Sequence, residues 1–143
     1  MTPSQIAVVQ QTFAKAAGLG GAVAEIFYAE LFAIDPSLRP MFKGDMREQG
    51  RKLLATLSFV VNGLDKPDQI VPAAQKLAVK HLDYGVTARH YTLVGNALLR
   101  TLKKGLGDEF TPEARAAWVA AYQVLADVMR AAAYGAPAAA AAR

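Results

Sequence analysis

Two of the 143 residues are histidines, and their settings differ. His81 follows Leu77 by four positions in a segment whose apolar residues, Ile70, Val71, Ala74, Leu77 and Ala78, recur at helical spacing. That spacing puts His81 and Leu77 on one helix face. A neutral imidazole so placed is a nitrogen ligand suited to a transition metal such as iron. A lone histidine on an apolar face is also, and more commonly, a core residue satisfied by a neighbour. His90 falls close to a helix start, where an exposed side chain is expected.

Two further polar residues interrupt apolar stripes. Gln49 shares its four-residue spacing with Leu53 and Leu57, and Tyr28 lies inside FYAELF between Phe27 and Leu31. A buried amide or phenol without a partner costs on the order of 1–3 kcal/mol. Facing one cavity, both could donate to a single bound ligand. The alternative has Tyr28 tipping out to solvent and Gln49 lying on the surface.

Other chemistries are excluded. Without cysteine there is no disulfide framework, thiolate metal site or thiol nucleophile. The serines, Ser4, Ser37 and Ser58, stand in no nucleophile elbow. There is no HExxH motif and no acidic metal cluster, and the glycines around Gly18 follow a helix where a phosphate loop would follow a strand.

The elements that must position these groups are helical throughout, because apolar residues recur every three or four positions and strict alternation is absent. Thr2-Pro3-Ser4-Gln5 reads as a capping box opening a helix to about Ala17, stopped by Gly18, Gly20 and Gly21. The second helix spans about Ala22 to Ala33 and ends before Asp35-Pro36. A turn-like stretch from Pro36 to Phe42 leads to a helix over about Asp45–Val61. The next runs from about Pro67 to His81 and stops near Tyr84-Gly85. Thr87 caps a helix through about Lys104, ended by Gly105 and Gly107, and Thr111-Pro112-Glu113 opens a last one to about Ala132. There Trp118 and Tyr122, four apart, read as a helix-packing pair.

Hydrophobic residues make up 53% of the chain, enough for one domain with a core, and no apolar run reaches membrane-spanning length. The formal charge of +4 is scattered and accompanied by no nucleic-acid recognition motif. The N-terminal segment lacks the pattern of a signal peptide. A cytoplasmic protein that engages neither nucleic acid nor membrane is the expectation.

Taken in order, FYAELFAIDPSLRPMF (27–42), QGRKLL (49–54), KHLDYGV (80–86), HYTLVGNALL (90–99) and AWVAAYQVLADVM (117–129) resemble the globin family. The likeness is greatest to bacterial single-domain haemoglobins and the haem domain of flavohaemoglobins, and it runs from about Gln5 to Met129. It implies an all-α globin fold, with about six to seven helices around a haem pocket. One globin domain would occupy residues 1–133, and the alanine-rich tail at 134–143 is expected to fray. The resemblance makes His81 the axial ligand of haem b and Phe42 the aromatic that packs on it. Tyr28 and Gln49 become the distal pair, Leu53 the residue limiting ligand space, and Tyr91 a tyrosine on the histidine's side. Leu57, Leu77 and Val86 complete the implied haem contacts, while His90 matches no ligand position. Counted without gaps, the proximal glutamate of flavohaemoglobins falls at Ala133, which puts chemistry that needs its electron push in doubt.

The implied activity is reversible binding of O2, with NO and CO as further ligands, by a monomer or homodimer. The alternative is nitric-oxide dioxygenation; the chain carries no NAD(P)H or flavin motif and ends where a reductase domain would begin, so a separate reductase would be needed. A haem-free helical protein that binds a partner is the third possibility, and it would carry no pigment.

Overall fold

A computed structural model describes residues 1–42, 44–83 and 86–134, and every regular element among them is helical. The order is α1 (Pro3–Ala17), α2 (Gly21–Ile34), a 3-10 helix (Pro36–Met41), α3 (Met46–Asn62), α4 (Pro67–Asp83), α5 (Ala88–Leu106), a 3-10 turn (Gly107–Glu109) and α6 (Pro112–Tyr134).

The ends are set by local hydrogen bonds. The capping box at Thr2 forms: its hydroxyl accepts from the Gln5 N–H at 3.1 Å, and the Gln5 side chain accepts from the Thr2 N–H at 3.0 Å. Asp35 ends α2 and opens the 3-10 helix by accepting from the Ser37 N–H at 3.0 Å, where only a turn-like stretch was expected. Asp45 caps α3 through the Arg47 N–H, and the Thr111 hydroxyl caps α6 through the Ala114 N–H. At α5 Thr87 is the N-cap, as expected, and its N–H donates to His90 Nδ1 at 3.0 Å. Gly105 lies inside α5, and the helix ends at Gly107, whose φ of 59° leaves the helical region. The expected stop at Tyr84-Gly85 and the tail beyond Tyr134 lie outside the described residues.

Packing splits the apolar interior in two. The larger cluster joins α1, α2, α5 and the first half of α6 around Val9, Phe27, Leu31, Leu102 and Trp118. Within it the Trp118 indole N–H donates to the Thr12 hydroxyl at 2.8 Å, while that hydroxyl donates to the Val8 carbonyl. The smaller cluster lies between α4 and the second half of α6, around Ala74, Ala78, Tyr91, Ala126 and Met129. Tyr122 packs against both. α3 packs chiefly on α1 and α2, whereas α4 packs on α6.

Two close approaches need glycine. A Cβ at Gly50 would come within 2.8 Å of the Ala24 Cβ, so α3 meets α2 with only the Ala24 methyl between their backbones. A Cβ at Gly95 would come within 2.7 Å of the Tyr122 ring, which therefore lies directly on the α5 backbone. Among the described residues no single helix is long and apolar enough to cross a membrane.

Candidate haem site

On α2, Tyr28 is 8% exposed and sits in a nest of rings. Phe27 and Phe42 meet it edge-on at 5.2 and 5.3 Å between centroids, and Phe32 stacks on it at 6.1 Å. Its hydroxyl donates to the main-chain carbonyl of Gln49, at 3.3 Å. The solvent-tipped alternative for Tyr28 is therefore not what the fold adopts. Burial pushes the Tyr28 pKa up to about 12, so the group is a neutral O–H donor throughout the physiological range. The Gln49 side chain is half-buried at the edge of this nest. Leu53 and Leu57 follow on the same face of α3, half-buried, and pack with Phe42 against the larger cluster.

On α4, His81 is half-buried and its Nδ1 lies 2.8 Å from the Leu77 carbonyl. A carbonyl only accepts, so Nδ1 carries the proton and the ring lone pair is on Nε2. Burial lowers the His81 pKa, with the Leu77 hydrogen bond pulling the other way, so the imidazole is favoured in its neutral, ligating form. The Tyr91 ring of α5 stacks on the His81 ring, with centroids 6.4 Å apart and planes 21° apart. Leu77 and Val86 pack on the same cluster.

The structure thus gathers Phe42, Leu53 and Leu57 with Tyr28 and the Gln49 backbone in one apolar cluster, and His81, Leu77, Val86 and Tyr91 in the other. His90 joins neither and serves as a cap. Lys76 and Lys80 are exposed. The residue that links the clusters, Tyr122, has a role that its spacing from Trp118 does not reveal. Its hydroxyl donates to the Tyr91 carbonyl at 2.5 Å, whereas the Trp118 indole donates to Thr12.

A family model for the globins matches residues 25–129. The chain is a globin. Flavohemoproteins of Bordetella parapertussis and Deinococcus radiodurans are 32% and 34% identical to it over 132 residues. These matches take in 90% of this globin and 33% of each relative, so the chain spans about a third of the length of the curated relatives it matches. Among solved structures, a bacterial globin from Campylobacter jejuni superposes with a TM-score of 0.81 at 24% identity, covering 93% of this chain and 96% of the other. A carbene transferase engineered from a Rhodothermus marinus protein, one that carries a nitric oxide dioxygenase designation, superposes with a TM-score of 0.84 at 25% identity, over 99% of both chains.

The family implies a haem, and the residues present fit one. A flat, largely apolar macrocycle brings four of its iron's ligands with it and needs from the protein one nitrogen and two apolar walls. Among the described residues no cluster of three or more His, Asp or Glu side chains could hold a metal ion by itself, whereas His81 offers a single neutral imidazole of fixed tautomer. The half-buried leucines of α3 and α4 supply apolar surface on helices that pack on different partners.

Proposed function

We propose that this globin binds haem b through His81 and takes up O2 reversibly, with NO and CO as competing ligands. The observation that carries the reading is the His81 hydrogen bond to Leu77, which orients the ring and leaves Nε2 as its basic nitrogen. Ferrous haem, when bound, supplies an electron-rich iron that takes diatomic gases and shifts negative charge on to oxygen.

The chain's own residues then bind, orient and exclude water. Tyr28 is the donor for a ligand that carries negative charge. Its proton is held by burial, and its present acceptor, the Gln49 carbonyl, is a 3.3 Å contact that a better-placed acceptor displaces. Gln49 supports the same ligand from the edge of the nest. Phe42, Leu53 and Leu57 keep bulk water from the ligand side, which slows oxidation of the iron. On the other side Tyr91 buttresses the imidazole. Residues 1–133 form the domain that does this.

The test is direct. Wild-type protein loaded with haem shows a Soret band and clean deoxy and oxy spectra, and His81→Ala loses them, with free imidazole restoring part of the signal. A His81→Ala protein with unaltered spectra overturns the assignment.

A second reading, nitric-oxide dioxygenation, is supported by the flavohemoprotein relatives and by the designation of the Rhodothermus marinus protein. It would use the same Tyr28 and Gln49 and depend on a separate reductase. Sustained turnover of NO to nitrate with a supplied reductase favours it over a carrier.

A further inference from the structure

The His81 side of the molecule holds a cation that oxygen binding as proposed does not use. Arg130 of α6 places its guanidinium carbon 5.6 Å from the centroid of the Tyr91 ring, a cation–π distance. The same Tyr91 ring lies stacked on His81. Tyr91 is held from behind as well, because Tyr122 donates to its carbonyl and lies in the space that Gly95 leaves open. The guanidinium's influence extends across this group. Burial raises the Tyr122 pKa well above its ordinary value, and the Arg130 charge pulls it part of the way back.

Among the described residues one carboxylate pairs with the guanidinium. Asp127 pairs with Arg130 at 3.3 Å, but the acid's side chain is 73% exposed and the arginine's 34%. Water therefore screens the carboxylate more than the guanidinium, and a net positive influence remains on the Tyr91 side. Ala133, where the resemblance to flavohaemoglobins places a glutamate, puts only a methyl group against this cluster. Arg130, three residues earlier on α6, brings its charge to the Tyr91 ring instead.

We infer that Arg130 sets the redox poise of the His81 side: seated on the Tyr91 ring that stacks on the ligand, its charge disfavours the ferric state of the iron held there. Positive charge near a metal favours the state with one electron more. A carboxylate on the histidine's side does the reverse by making the imidazole a stronger donor. The inference rests on the proposed haem ligation by His81. Arg130 acts through Tyr91 and His81 and is a positioning residue, outside contact with any ligand. Its consequence is a globin that stays ferrous, the state that takes up O2.

Spectroelectrochemical titration of the haem-loaded full chain tests this with three variants. Arg130→Met keeps the bulk and removes the charge; at a fixed applied potential its ferric-to-ferrous ratio rises about 3- to 10-fold, the size expected of one charge acting from the next layer of side chains. A tenfold change corresponds to about 59 mV for one electron. Arg130→Lys keeps the charge and stays within about twofold of wild type. Asp127→Asn removes the opposing carboxylate and moves the ratio the other way, and because it leaves Arg130 in place it decides the matter if Arg130→Met does not fold. An unchanged ratio in Arg130→Met, an equal shift in Arg130→Lys, or a ferric shift in Asp127→Asn overturns the inference. A wild-type protein that takes up no haem, seen as a missing Soret band, overturns the haem reading itself and this inference with it.

Discussion

On the Tyr28 side the wall is made of rings: Phe27, Phe32 and Phe42 enclose the tyrosine, and Leu31, 1% exposed, ties α2 into the main core behind them. On the His81 side the wall is made of methyls: Ala74 and Ala78 of α4 meet Ala126 of α6, with Tyr91 and Met129 as the large buried members among the described residues. Aromatic packing interlocks, so the first wall is stiff and can hold a hydroxyl in a fixed place. Small residues let two helices come close but give each little to grip, so the second wall depends on its few large groups. Tyr122 is the side chain that belongs to both. The comparison teaches that the proposed ligand donor stands on the rigid side, while the side that holds the proposed iron ligand is adjustable.

The largest expected effect lies behind the ring wall. Leu31→Ala should lower unfolding free energy by about 2–5 kcal/mol in urea titrations, since the site is fully enclosed and cannot collapse. A loss under 1 kcal/mol would show that the Tyr28 side is not the stiffer one. Next, Tyr28→Phe should speed O2 release by about 10- to 150-fold in stopped-flow, the worth of a hydrogen bond to a charged acceptor of about 1.5–3 kcal/mol. An unchanged rate removes Tyr28 from ligand binding and with it the division of labour between the walls. Gly95→Ala tests the link: its Cβ would stand 2.7 Å from the Tyr122 ring, and displacing that ring should cost about 1–3 kcal/mol, read as a lower thermal midpoint. Loss of the Tyr122–Tyr91 hydrogen bond should accompany it, and a midpoint equal to wild type would mean that the two clusters are joined elsewhere.

The smallest effect is alkaline. The Tyr28 pKa is raised from 10.0 to about 12 in the folded chain, so the folded state keeps a proton that the unfolded state gives up. This contribution to stability is fully present below pH 10 and is lost as pH rises through about 12. Urea midpoints of wild type and Tyr28→Phe compared across that window should converge as pH rises. Parallel curves would place the tyrosine in contact with water.

Helix positions were readable from apolar spacing and cap residues because those signals are local: Thr2 with Gln5, Asp35 before Pro36, Thr111 before Pro112. Boundaries drifted where two stop signals competed. Gly105 and Gly107 both read as an end, and only the second takes a positive φ. Placement of His81 on an apolar face followed from its spacing of four from Leu77, while Phe27 and Leu31 beside Tyr28 left burial and exposure both open; the hydrogen-bond partners of neither were readable. Tyr28 bonds to the backbone carbonyl of Gln49, and no side-chain pattern announces a carbonyl acceptor. The part played by Tyr122 and Arg130 was hidden for a different reason. Both contact Tyr91, more than thirty positions away on another helix, and such pairings are set by how α5 and α6 cross.

The contact at Gly50 sets how near α3 can come to α2. Because α3 rests on the Ala24 methyl, the approach is fixed by a hydrogen where other residues would have a carbon. A single methyl inserted there would act as a shim, pushing the helix that carries Gln49, Leu53 and Leu57 away from the one that carries Tyr28.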